Sequence, residues 1–236
     1  MRITYLYHSG FAVETKEHFL VFDYWKHRPK NGLLTDGIIN PEEQKDKDVI
    51  VFASHRHPDH FNKVILGWPE SISKCRIILS DDIESGENVL KVGANAALKE
   101  ADFELHTFLS NDEGVAFLVE IDGKRIYHAG DLNWWHWEGE PGSWNSDVKI
   151  SYQKEMELLS AYSVDLAFVP VDPRLGDQYA WGIDHLMRTV DVRHVVPMHF
   201  GKASDVIERL LDDPVSESYR HKIIPFKERG QSEDVE

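Results

Sequence analysis

Ser54-His55-Arg56-His57-Pro58-Asp59-His60 follows directly on Asp48–Ala53 (DVIVFA), a nearly continuous apolar run. A run with no polar alternation predicts a strand buried on both faces. His55 and His57 stand two apart at the end of that strand, so their side chains point the same way. Asp59 and His60 lie just beyond, where the backbone turns and aims them at a neighbouring point. Three imidazoles and a carboxylate at the mouth of a buried strand have no packing purpose. Neutral imidazole is the commonest metal ligand. The pattern H-x-H-x-D-H therefore predicts a metal site, with a geometry that suits two adjacent ions better than one.

The rest of the chain reads outward from this point. Ile3–Leu6, Phe11–Glu14 and Phe19–Phe22 are three short apolar runs, with turn signals at Ser9-Gly10 and Lys16-Glu17. Arg76–Leu79 and Val115–Ile121 are further strand candidates, and Asp122-Gly123 between Val115–Ile121 and Arg125–His128 is a hairpin signal. The second half alternates. Asp147–Tyr162 has helical spacing and leads into the strand Asp165–Val171. Asp184–Asp191 is a short helix leading into the strand His194–Pro197, and Ser204–Leu211 opens on a capping-type serine. Lys222–Phe226 reads as a last strand, and the polar tail 227–236 is expected to fray. Strands come first and helices then alternate with strands, with no Pro/Gly/Ser-rich linker between. One domain over residues 1–236, with two sheets between helical layers, fits this order.

Composition narrows the function. The chain has 236 residues, with 26 Lys+Arg against 41 Asp+Glu, a formal net charge of −15. That balance argues against a phosphate-backbone binder, so no nucleic-acid partner is expected. Nothing resembles a membrane span or a signal-peptide core, and a cytoplasmic location is the expectation. The one cysteine, Cys75, excludes an internal disulfide and a cysteine-rich zinc site, whereas there are 13 histidines. Neither Gly-x-Ser-x-Gly nor a phosphate-binding Gly-rich Lys loop occurs.

These residues resemble the first metal-binding signature of the metallo-β-lactamase-fold hydrolases, and further motifs follow in the family's order. Gly130-Asp131 closes Ile126-Tyr127-His128-Ala129-Gly130-Asp131 and looks like the family's Gly-Asp motif, whose aspartate bridges two metals. Val195-Val196-Pro197-Met198-His199-Phe200 looks like the last motif, in which a strand delivers the final histidine. The resemblance covers essentially the whole chain. It implies an α/β fold, a four-layer αββα sandwich, with metal ligands at His55, His57, Asp59, His60, Asp131 and His199. Asp131 would hold the metal pair and Asp59 would orient the nucleophile.

One position departs from the family. The histidine expected before Val115–Glu120 aligns with Ser110, in Leu109-Ser110-Asn111-Asp112-Glu113-Gly114. Either the first metal position is depleted, or Asp112 or Ser110 completes it. The second position, with Asp59, His60, Asp131 and His199, is a two-His, two-carboxylate set. Zinc suits it first, as one or two ions, and nitrogen–oxygen ligation without sulfur also suits manganese, iron or nickel.

Around these ligands stand the supporting and substrate-side candidates. His8 sits at a first turn like the one that faces the cleft in lactonase-like members. His128 precedes the Gly-Asp motif, and His185 starts a helix. Arg56, Arg174 and Lys202 are anion-binding candidates. In this family an aspartate placed like Asp23 buttresses a ligand histidine, which fixes the imidazole tautomer. His18, His27, His106, His136, His194 and His221 read as surface or packing residues. Trp134, Trp135, Trp137 and Trp144 lie within Leu132–Val148, as a cleft wall or a core or interface filler.

A metal so held lowers the pKa of bound water. The expected activity is therefore metal-dependent hydrolysis of a small ester, lactone or phosphodiester. The alternative is a degenerate member that only binds a metal or ligand. A homo-oligomer is compatible with the tryptophan cluster.

Overall fold

The computed structural model describes residues 1–26 and 32–236, and His27 lies outside the described residues. The chain forms two compact units, Met1–Gly93 with Glu228–Glu236, and Ala94–Lys227.

The first unit is built on a seven-stranded sheet in the order β13-β1-β2-β3-β4-β5-β6. Its strands are β1 (Arg2–Tyr7), β2 (Gly10–Glu14), β3 (His18–Phe22), β4 (Asp48–Ala53), β5 (Lys74–Ser80), β6 (Leu90–Val92) and β13 (Ser232–Asp234). β1, β2 and β3 pair antiparallel, whereas β3, β4 and β5 run parallel. β4 lies between two partners and is buried on both faces, as its apolar run predicts. One face joins Val49, Val51 and Ala53 to Phe19, Val21, Ile77 and Leu79, covered by Ile65 and Trp68 of the helical turn Lys63–Glu70. The other face stacks Phe52 on Phe22, with ring centroids 4.9 Å apart. The short helix α1 (Pro41–Gln44) is capped by Asn40, whose side chain accepts from Glu42 N–H.

The second unit carries a six-stranded sheet in the order β12-β11-β10-β9-β8-β7. Its strands are β7 (Ala97–Lys99), β8 (Phe103–Leu109), β9 (Val115–Ile121), β10 (Lys124–His128), β11 (Ser163–Pro170) and β12 (Asp191–Met198). β7 to β10 form an antiparallel meander, and Asp122 and Gly123 turn its last hairpin with φ of 51° and 71°. Two successive positive φ angles match the right-handed strand twist, which is why Asp-Gly serves there. β10, β11 and β12 are parallel, so each connection must cross over. Helices α2 (Gly142–Leu159) and α3 (Trp181–Thr189) supply the crossovers, and α4 (Asp205–Asp212) follows β12. No helix among the described residues is long and apolar enough to cross a membrane.

Three expectations need correction. The tail 227–236 is not frayed: β13 pairs antiparallel with β1, and the Met1 amino group donates to Val235 O at 2.5 Å. The free edge of β1 offers backbone donors and acceptors that even a polar segment can satisfy. Lys222–Phe226 is not a strand. Arg220–Lys222 is a short 3₁₀ turn, and only a single bridge joins Ile223 to Val195. Pro225 lacks the N–H that a ladder needs there. Helix α2 begins at Gly142, five residues before Asp147, so Trp144 belongs to its first turn.

Candidate metal centre

In each unit the chemically distinctive side chains gather at the C-terminal ends of three adjacent parallel strands. Open α/β sheets bind ligands there, because each strand hands over to a loop at that edge. In the first unit Asp23 follows β3, Ser54–His60 follows β4 and Asp82 follows β5. In the second, Asp131 follows β10, Asp172 follows β11 and His199 follows β12.

The first group is organised by Asp23, which is fully buried. Its carboxylate accepts from Ser54 N–H and Ser54 Oγ–H, both at 2.7 Å, and from His60 Nδ1–H at 2.7 Å. With Nδ1 committed as a donor, neutral His60 keeps its lone pair on Nε2. The carbonyl of His57 accepts from the N–H of His60 and of Phe61, so the chain turns one residue after Pro58. His55 Nε2 and His57 Nδ1 stand 3.0 Å apart. One atom each from His8, Asp59 and His60 lie within 4.8 Å of one another. His8 Nε2 is 3.5 Å from Asp59 Oδ2, and Tyr5 OH accepts from His8 N–H at 2.8 Å. The hydrogen bond from His8 holds the Asp59 carboxyl well below the usual carboxylate range despite partial burial.

The second group repeats the device around Asp172. His199 Nδ1 donates to Asp172 Oδ2 at 3.0 Å, and Arg174 donates to the same carboxylate through its backbone N–H and its guanidinium. Burial raises the Asp172 pKa, but the hydrogen bonds from His199 and Arg174 outweigh it and hold it at about 2. The other ring nitrogen, His199 Nε2, faces Asp131 Oδ1 at 3.3 Å. Asp112 offers a carboxylate oxygen within 4.8 Å of one from Asp131. Trp135 Nε1–H donates to the Asp131 carbonyl at 2.8 Å and sets its ring 5.4 Å from His199. Asp112, Asp131, His199, Arg174, Trp135 and Trp137 line a cavity of about 150 Å³.

Three of these residues sit in strained backbone. His8, Asp23 and His199 have φ of 61°, 46° and 67°. A side chain in the left-handed region costs about 1–3 kcal/mol and persists only where its surroundings over-determine it.

The remaining candidates divide. Ser110 Oγ accepts from Asp112 N–H at 3.2 Å, so the serine shapes the loop that presents Asp112. His128 is buried, and its Nδ1 accepts from Gly130 N–H at 3.2 Å, fixing the turn before Asp131. Arg56 is exposed, and its N–H donates to Asp82 Oδ2 at 3.0 Å. His185 lines a different cavity from Asp131 and His199, and His136, read as a surface or packing residue, lies in that second cavity with it. Sequence reasoning missed Asp172, Ser54 and Tyr5, whereas Trp135 lines the cavity beside Asp131, as one of the two readings of the tryptophan-rich segment expected. Asp172 had a usable signal, since an aspartate after an apolar strand also describes Asp23.

The donor set fits a divalent cation. In His60 and His199 one ring nitrogen is held by a buried aspartate, which turns the other toward the carboxylates of Asp59 and Asp131. A lone pair facing a carboxylate is favourable only with a proton or cation between them.

A family model described as a β-lactamase superfamily domain matches residues 2–136. The chain belongs to that family. Within the β-lactamase superfamily, it is 27% identical over 221 residues to a UPF0173 metal-dependent hydrolase of Pyrococcus abyssi, covering 85% of this chain and 84% of that protein. Igni18, a metallo hydrolase of Ignicoccus hospitalis, superposes with a TM-score of 0.63 at 18% identity, covering 100% and 99% of the two chains. YhfI of Bacillus subtilis, a metallo-β-lactamase fold protein, gives 0.58 at 11% identity, covering 99% of each chain. The α/β fold is thus of the metallo-β-lactamase type.

Proposed function

We propose that this β-lactamase superfamily chain is a metal-dependent hydrolase acting on a small ester, lactone or phosphodiester. The observation that carries the reading is the paired Asp–His arrangement. Asp23 and Asp172 each take the Nδ1–H of one histidine and so direct His60 and His199 as nitrogen donors. The relative's name, metal-dependent hydrolase, supports the same reading.

The metal ligands would be His55, His57, Asp59 and His60 in the first unit and Asp131 and His199 in the second, with zinc the first choice. Asp112 takes the place left by the missing histidine. Its nearness to Asp131 supports this, and the use of the Ser110 hydroxyl in the Asp112 turn argues against Ser110. A bound divalent ion supplies Lewis acidity and an activated water at neutral pH.

The chain's own residues do the rest. Asp59, held ionised by His8, accepts a hydrogen bond from the attacking water and orients it. Trp135 pins the Asp131 backbone, and Trp135 with Trp137 forms an apolar wall that limits water around the substrate. Arg174, stacked 5.6 Å from the Trp137 ring centre, presents a cation at that wall for an anionic substrate group.

Protein purified without chelator is expected to carry one to two equivalents of metal by mass spectrometry. It should turn over at least one of bis(nitrophenyl) phosphate, nitrophenyl acetate and a homoserine lactone, and lose that activity on chelation. Metal-free protein that keeps its fold and turns over none of them after zinc is restored would overturn the reading.

A further inference from the structure

We propose that the cavity formed by the start of α2, α3 and the Trp134–His136 stretch is a second binding site, for a planar aromatic or heteroaromatic anion. Its volume is about 560 Å³. That falls within the roughly 300–1,000 Å³ of small-molecule sites.

Four rings build its walls. Trp134 meets Trp181 at 5.5 Å and 66° and meets His185 at 5.7 Å and 83°, and His136 meets Trp181 at 4.8 Å and 59°. Rings set edge to face in this way leave indole faces on which a flat guest can stack. Trp181 keeps 38% of its surface exposed, unusual for the largest side chain.

The charges select the sign of the guest. Lys149 holds its ammonium 5.3 Å from the Trp134 ring, and no carboxylate among the described residues lies within ion-pair distance of it. Arg188 is paired with Asp184 at 2.9 Å. The charged lining of Lys149, Arg188 and Asp184 therefore sums to one positive charge, in a chain whose formal net charge is −15. A local cation in an acidic protein draws anions to that spot. Burial lowers the His185 pKa, so its imidazole is neutral near pH 7 and can donate to or accept from the guest.

This cavity and the one beside Asp131 share no lining residue. Along the connecting loop, Trp134 and His136 line the one, and Trp135 and Trp137 line the other. Alternation of this kind is what an extended segment produces. It explains why tryptophans crowd a segment of no regular structure: each side of the loop walls a separate space.

The test is calorimetric titration of the full chain, with tryptophan fluorescence as a second readout. The probes are adenosine monophosphate and naphthoate, each against its uncharged counterpart, adenosine or naphthamide. At least one charged probe should bind with a Kd below about 100 μM and about tenfold or more tighter than its counterpart. Which of the two binds separates a nucleotide from an aryl acid as the natural chemistry. Lys149→Glu should erase the preference for charge, and Trp181→Ala should weaken binding about tenfold. Both side chains are exposed, so neither change threatens folding. Affinity should be the same with and without chelator. Three results would overturn the proposal: neither charged probe binding, equal affinity for the uncharged counterparts, or affinity that vanishes with chelator.

Discussion

The two units solve one chemical problem with the same device and different surroundings. Each aims a histidine by giving its Nδ1–H to a buried aspartate at the end of a parallel strand. In the first unit the fully buried Asp23 accepts from Ser54 and the His60 imidazole, both themselves buried. In the second, Asp172 shares its charge with Arg174, whose side chain is 64% exposed. The first device depends on hydrogen bonds that water cannot replace. The second leans on a cation that water can reach. Equal geometry should therefore have unequal sensitivity.

The largest effect tests whether both units feed one function. His60→Ala in the first unit and Asp131→Ala in the second should each abolish turnover and reduce bound metal by about one equivalent. Metal analysis and a substrate panel on the two variants check this. Full occupancy in either would break the symmetry between the units and remove that residue from the ligand set.

The next effect sharpens the contrast. Asp23→Asn and Asp172→Asn should each weaken metal affinity about 10- to 100-fold, because each loosens the tautomer and aim of one imidazole. Their stability costs should differ. Asp23→Asn puts an amide donor against buried donors and should cost about 1–3 kcal/mol. Asp172→Asn leaves Arg174 free to turn to solvent and should cost less. Urea unfolding of the metal-free variants measures the difference, and equal losses would show that Arg174 supports Asp172 no less rigidly than Ser54 supports Asp23.

The same contrast governs how much of the site is legible in the sequence. The first unit's candidate ligands His55, His57, Asp59 and His60 lie within six positions, and Asp48–His60 alone carries both the buried strand and these side chains. Asp23 is legible because it ends an apolar run. In the second unit Asp131, Asp172 and His199 are far apart in the chain and meet only because β10, β11 and β12 run parallel. No spacing rule brings such residues together, so Asp131 and His199 rest on family resemblance and Asp172 escapes notice. β6 and β7, three residues each, are too short for a periodic signal, although pairing holds them in place. The tail misleads for a related reason: β13 is defined by the edge of β1 rather than by its own polar sequence.

The smallest effect concerns the one place where the family pattern stops. If Asp112 stands in for the absent histidine, Asp112→Ala should lose the more weakly held metal, whereas Ser110→Ala should leave the stoichiometry unchanged. Among the described residues Ser110 Oγ makes one hydrogen bond, accepted from Asp112 N–H, so its removal should cost about 0.5–1.5 kcal/mol and cause only a small drop in affinity through a looser loop. Competition against a chromophoric zinc chelator resolves the two ions separately. Loss of an ion in Ser110→Ala with none lost in Asp112→Ala would reverse the roles. It would make the hydroxyl the ligand and leave the carboxylate as a neighbour of Asp131 with no metal to hold.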